Sequence, residues 1–136
     1  MRHQDGFLLC FSLDNKDSLL EIPKFFTQIK RAKAPIGSGE DLQNVKVPIL
    51  LVATKCDLDY KEVSTEDVEK MLQKLNLQGD AADNFIVTSA KEKINVAKGF
   101  EIIAERVKQI HLEKMREFNA DNQKIKKANS CKCQIM

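Results

Sequence analysis

Three short apolar runs divide this chain, and between them the apolar positions spread out to helical spacing. The runs are residues 7–13, residues 47–53 and the shorter Phe85-Ile86-Val87. A strand with one wet face alternates apolar and polar residues, so a continuous run points to a strand buried on both faces. After the first run, Leu19, Ile22, Phe26 and Ile29 keep helical spacing behind a capping Ser18, and the segment ends in Lys30-Arg31-Ala32-Lys33. Pro23 fits such a helix only in its first turn. After the second run, Ser64 precedes Glu66 and Asp67, an N-cap with acids in the first turn. Val68, Met71, Leu72 and Leu75 give that helix an apolar face, and Gly79 closes the turn behind it. After the third run, Val96, Phe100, Ile103, Val107 and Ile110 hold one face. Strand and helix alternating three times predicts an α/β fold, a parallel sheet with right-handed crossovers. Pro48 sits near the start of its strand, where a missing N–H does least harm. Phe85-Ile86-Val87 is expected at an edge, and Cys10, Phe25, Phe26 and Phe100 are expected in the core. Residues 34–46, with Pro35, Gly37 and Gly39, form a loop long for such a connection.

In open α/β sheets ligands sit beyond the carboxyl ends of the strands. Two tetrapeptides stand there: Thr54-Lys55-Cys56-Asp57 after the second run and Thr88-Ser89-Ala90-Lys91 after the third. Together they describe a pocket for guanine. The Asp57 carboxylate can accept parallel hydrogen bonds from N1–H and the exocyclic amine of guanine, whereas adenine would leave it unpaired. Sites built on buried hydrogen bonds reject an analogue lacking the donor by roughly 10⁴–10⁵. The Ala90 N–H can hold the guanine O6. The stems of Lys55 and Lys91 can cover the ring faces while their ammonium groups stay in water.

The two tetrapeptides, in this order and each behind a buried-type strand, resemble the (N/T)-K-x-D and (T)-S-A-K signatures of the Ras-like small GTPases. Thr54 stands where many members carry Asn. The resemblance runs from about Gly6 to the terminal Cys133-Gln134-Ile135-Met136. It implies a P-loop NTPase-like sheet, GTP/GDP as ligand, Mg²⁺ and GTP hydrolysis in a complete relative, and regulators or effectors as partners in signalling. The family's phosphate cradle, G-x-x-x-x-G-K-[ST], cannot be built from the five glycines of this chain. No D-x-x-G, switch glutamine or switch threonine can be assigned either. The expectation is therefore an incomplete domain of three strands and three helices, beginning where the family's fourth strand starts. Residues 1–118 would form the C-terminal half of the GTPase domain, with a guanine half-site and no catalytic residues, and inactive alone. Two alternatives stand beside this reading: a non-catalytic membrane-anchored adaptor or decoy, and a truncated gene model.

Residues 119–136 carry no core pattern and read as a flexible basic tail. Lys124, Lys126, Lys127 and Lys132 follow the last acid, Asp121. Cys133-Gln134-Ile135-Met136 fits C-a-a-X with a terminal methionine, the class usually farnesylated. One lipid chain binds marginally, so the lysines, each worth about 1 kcal/mol near an anionic leaflet, or a second lipid on Cys131 would decide retention. This predicts the cytoplasmic face of a membrane, the plasma membrane in particular. No apolar stretch approaches the ~20 residues needed to cross a bilayer. Cys10, Cys56, Cys131 and Cys133 show neither a disulfide framework nor zinc spacing with His3 or His111. A net charge of +2 without a basic stripe gives no sign of a nucleic-acid partner.

Overall fold

The computed structural model describes residues 3–34, 46–77 and 83–132, with side chains to 124. Its strands are β1 (Phe7–Ser12), β2 (Ile49–Thr54) and β3 (Phe85–Val87). They pair in parallel in the order β1-β2-β3, with Phe7 opposite Ile49 and Leu51 opposite Phe85. The helices are α1 (Lys16–Leu20), α2 (Ile22–Lys33), α3 (Thr65–Leu75) and α4 (Val96–Lys132).

The continuous apolar runs are explained by burial on both faces of the sheet. Leu50 and Leu51 are adjacent in β2, point to opposite faces, and are each 0% exposed. On one face Leu9, Phe11, Leu51 and Ala53 pack with Ile22 and Ile29 of α2 and Val68, Met71, Leu72 and Leu75 of α3. On the other, Leu50, Val52 and Ile86 meet Ile102 and Ile103 of α4. Both crossovers lie on the first face, as two successive crossovers of one hand must when the sheet grows in one direction.

The first crossover departs from the expected single helix. Asn15, not Ser18, is the N-cap; its side chain accepts from the Ser18 N–H, and α1 ends after one turn and a fraction at Glu21. Pro23 then falls in the first turn of α2, the place where its missing N–H is not needed. The Ser18 hydroxyl instead meets Ser12 at the end of β1, within 2.9 Å of its N–H. The α3 cap is as expected and more complete: Ser64 and Asp67 form a reciprocal capping box. Asn76, in the left-handed region at φ 46°, closes that helix. Gly79 and most of the 34–46 loop lie outside the described residues.

Arg106 clamps α4 to the amino ends of the strands. Its guanidinium donates to the Ile49 carbonyl and the Asn84 side chain at 3.1 Å each, and to the Asp83 carbonyl. Gly6 allows α4 to close on the start of β1, because a Cβ there would lie 2.8 Å from Val107 Cγ2. Beyond Ile110 the helix leaves the sheet, and residues 111–124 are all exposed. The missing core pattern is thus matched by exposure, but the backbone stays helical to Lys132 where a tether without regular structure was expected. A helix nucleated against the sheet can run on past it, because each further residue adds one hydrogen bond without a new nucleus.

Three further side chains expected in the core lie elsewhere. Phe100 is 60% exposed and Phe25 39%, and Cys10 is exposed too; only Phe26 packs against the core as expected. Among the described residues the second sheet face carries a single helix, α4, so Cys10 and Phe100 beside it have no further layer over them, whereas Phe25 stands on α2 over the first face.

Candidate functional site

The loop after β2 and the loop after β3 are bonded into one unit at the carboxyl end of the sheet. Thr88 donates from its N–H and its hydroxyl to the Ala53 carbonyl, at 2.7 and 3.0 Å, and the Cys56 N–H returns a bond to the Thr88 carbonyl at 3.1 Å. Thr54 Oγ1 donates to the Phe11 carbonyl at 2.9 Å, which ties the first loop to β1. Lys55 turns the chain there in the left-handed region, at φ 62°.

Ser89 is the hinge between the two loops. It is 0% exposed, its hydroxyl donates to Asp57 Oδ1 at 2.5 Å, and its oxygen accepts the Glu92 N–H at 3.1 Å. The loop beyond is held by a reciprocal backbone pair between Ser89 and Ile94. Asn95, at φ 56°, donates from its side chain to the Val87 carbonyl at 2.9 Å. The bond from Ser89, with smaller contributions from Lys91 and Lys55, holds the Asp57 carboxyl below the usual carboxylate range against a desolvation that pushes it up. A carboxylate has about four lone-pair sites, so Asp57 keeps acceptor capacity for two donors from a ligand.

A cavity of about 490 Å³ opens beside this unit. Lys55, Asp57, Ala90 and Lys91 line its polar end, and Leu8, Cys10, Val52, Val96 and Phe100 line an apolar floor between the sheet and α4. The structure therefore brings Thr54, Lys55, Asp57, Ser89, Ala90 and Lys91 together. Ser89 works from behind, as the buried donor that positions Asp57. Cys131 and Cys133 are remote from this site in the chain: Cys131 lies in α4 with its side chain outside the description, and the residues from Cys133 on lie outside it altogether.

The sequence reading missed Asp14. Its Oδ2 pairs with Lys55 Nζ at 2.8 Å, and Ser12 donates to its Oδ1. Lys55 first, then Ser12, lowers its pKa. The pair holds the ammonium end of Lys55, a residue that lines the cavity. The signal was present, since Asp14 directly follows a buried strand at the end where ligands bind.

Among the described residues no group of three His, Cys, Asp or Glu side chains is placed to hold a metal ion. The residues at the cavity mouth suit a neutral hydrogen-bonding ring: one ionised acceptor, backbone N–H groups at Ala90 and Lys91, and aliphatic stems on either side.

Comparison with known proteins agrees with this architecture. The profile of the Ras family matches residues 1–109. The chain is 37% identical to the Ras-like protein rasS of Dictyostelium discoideum, covering 96% of this chain and 62% of that protein. It is 37% identical to the Ras-like protein RAS2 of Hydra vulgaris over 74% of the chain and 45% of the relative. Against the Ras-like protein 2 of Drosophila melanogaster it is 31% identical over 96% of the chain and 61% of the relative. It thus spans roughly half to three-fifths of the length of these relatives. With the family profile covering most of the chain, and with a parallel sheet whose strand ends carry both tetrapeptides, this protein belongs to the Ras family of small GTPases.

Proposed function

We propose that this chain supplies the guanine-recognition half of a Ras-like signalling switch and its attachment to the cytoplasmic face of a membrane. The observation that carries the first part is the Ser89–Asp57 bond of 2.5 Å at the mouth of the cavity. It fixes an ionised carboxylate where it can meet the N1–H and amine edge of guanine in GTP or GDP. The Ala90 N–H accounts for O6, and the Lys55 and Lys91 stems for the two ring faces. Fit to the nucleotide ends there. The glycine–lysine cradle that holds phosphates is not among the 136 residues, so no step of phosphate or Mg²⁺ chemistry is assigned to this chain. Hydrolysis, switching and the regulators or effectors that read it belong to the proposal for a complete relative.

Binding measured by ligand-detected NMR should be weak, with guanosine diphosphate preferred over adenosine diphosphate. Asp57→Asn should abolish that preference, because one acceptor becomes a donor facing the guanine amine. Equal binding of the two nucleotides by the unchanged chain would contradict the assignment.

Attachment rests on Cys133-Gln134-Ile135-Met136. The Cys133 thiolate would displace diphosphate from a farnesyl donor and form a thioether, leaving one lipid chain at the end of a lysine-bearing segment. Residues 119–136 fused to a fluorescent protein should reach membranes in a eukaryotic cell. Cys133→Ser should return the fusion to the cytosol; membrane retention of that variant would sink the anchoring reading.

A further inference from the structure

The part of α4 that leaves the sheet carries three large apolar side chains that stand exposed among the described residues. Leu112 is 48%, Met115 59% and Phe118 64% exposed. At 3.6 residues per turn the three share an arc of roughly 120°. Within residues 112–124 the only other positions in that arc are the uncharged Asn119 and Asn122. Lys114 and Arg116 border it, one on each side by about 40°, and Glu113, Glu117, Asp121 and Lys124 fall on the opposite side of the helix, where Lys124 pairs with Asp121 at 4.0 Å. His111, 3.6 Å from Asp5 on the domain, marks where this segment departs.

We propose that residues 112–124 of α4 lie flat in an anionic membrane interface, with Leu112, Met115 and Phe118 inserted among the acyl chains. The inference deepens the anchoring proposal and rests on it, because the same helix runs on to the segment bearing Cys133. Three arguments favour a lipid surface over a second protein. The apolar arc has cationic borders and an acidic back, so an anionic surface attracts the borders while the acids stay in water. Lysine and arginine stems can cover apolar depth and keep their charges at the headgroups. The chain also continues from this segment to Lys126, Lys127, Lys132 and Cys133, so further basic charge and the proposed lipid follow it closely in sequence. None of the described helices is long and apolar enough to cross a bilayer, so α4 would lie on the membrane. Because the helix is continuous with the part docked by Arg106, insertion would set the orientation of the domain as well as its location.

The chain contains no tryptophan, so Phe118→Trp provides a single fluorescent reporter in the full chain. The variant is mixed with vesicles of phosphatidylcholine containing phosphatidylserine, with and without the lipid on Cys133. The expected result is blue-shifted emission, quenched by lipids brominated on their acyl chains. Adding Leu112→Gln and Met115→Gln should weaken vesicle binding of the unlipidated chain by at least about tenfold without loss of helix by circular dichroism. Emission that stays water-like on chains held to vesicles by the Cys133 lipid overturns the proposal while leaving the anchor intact. A blue shift that appears without vesicles and grows with protein concentration also overturns it, assigning the arc to a second copy of the chain. Failure of the anchor reads separately, as membrane retention of the Cys133→Ser fusion.

Discussion

Asp57 and Ser89 show how much a single buried hydroxyl decides. In the proposed guanine site the carboxylate works only while ionised, and Ser89 favours that state by donating to it. Its folded pKa is depressed, so the charge is present above the ordinary carboxylate range and lost only as pH falls through the lowered value. Ser89→Ala should move the Asp57 titration upward when followed by carbon NMR of the carboxyl group. Any guanine preference should then fade at a higher pH than in the unchanged chain. The place of Asp57 at the carboxyl end of the sheet was legible from its tetrapeptide, because that tetrapeptide directly follows a buried strand. The Lys55–Asp14 pair was not, since it joins residues 41 apart in the chain and depends on β1 and β2 being neighbours.

At the scale of elements, α3 is the best-specified piece of the chain. Its capping box satisfies two backbone donors at the helix start, and Lys16 Nζ reaches Asp67 from α1 at 3.0 Å. Ser64→Ala should lower stability by roughly 1 kcal/mol, measured by urea unfolding at constant m-value. The Lys16 bond, then the Ser64 bonds, bring the Asp67 pKa from 3.8 down to about 2. A depressed carboxylate contributes stability that is fully present above its unfolded pKa and lost as pH falls through the folded one. The contribution should therefore disappear between about pH 4 and pH 2, and Asp67→Asn should flatten the melting temperature over that window. The N-cap could be read from Ser64 followed by Glu66 and Asp67 because capping is local, although its reciprocal bond to Asp67 was not. The division of the first crossover into α1 and α2 could not: apolar spacing runs through Glu21 without interruption, and the break depends on Ser18 being drawn to Ser12.

For the molecule as a whole, β1 is the unusual element, an apolar strand at the edge of its sheet. Phe7 and Leu13 donate their N–H groups toward β2, so by parity Leu8 and Cys10 turn theirs to the open edge. Ser18 covers the groups of Ser12 in the same series. An open apolar edge is a template for strand pairing. The isolated chain should self-associate in light scattering as concentration rises. Cys10→Lys, at an exposed position in β1, should suppress that association with little change in melting temperature. Leu51→Ala, at the fully buried centre of β2, should instead cost about 2–5 kcal/mol.

The sequence by itself determined that there are three strands, that β2 is buried on both faces, that the crossovers are helical, and that both tetrapeptides fall at the carboxyl end of the sheet. Those features follow from local periodicity, and residues such as Leu50, Leu51, Met71 and Leu72 obey it. Only the tertiary structure decided which apolar side chains find a cover. Periodicity turned Phe100 toward the sheet side of α4, yet a period cannot reveal whether a second helix lies beside the first. It likewise took folding to bring Asp14 to Lys55 and to let α4 run past the sheet with Met115 and Phe118 bare, because exposure depends on neighbours distant in the chain.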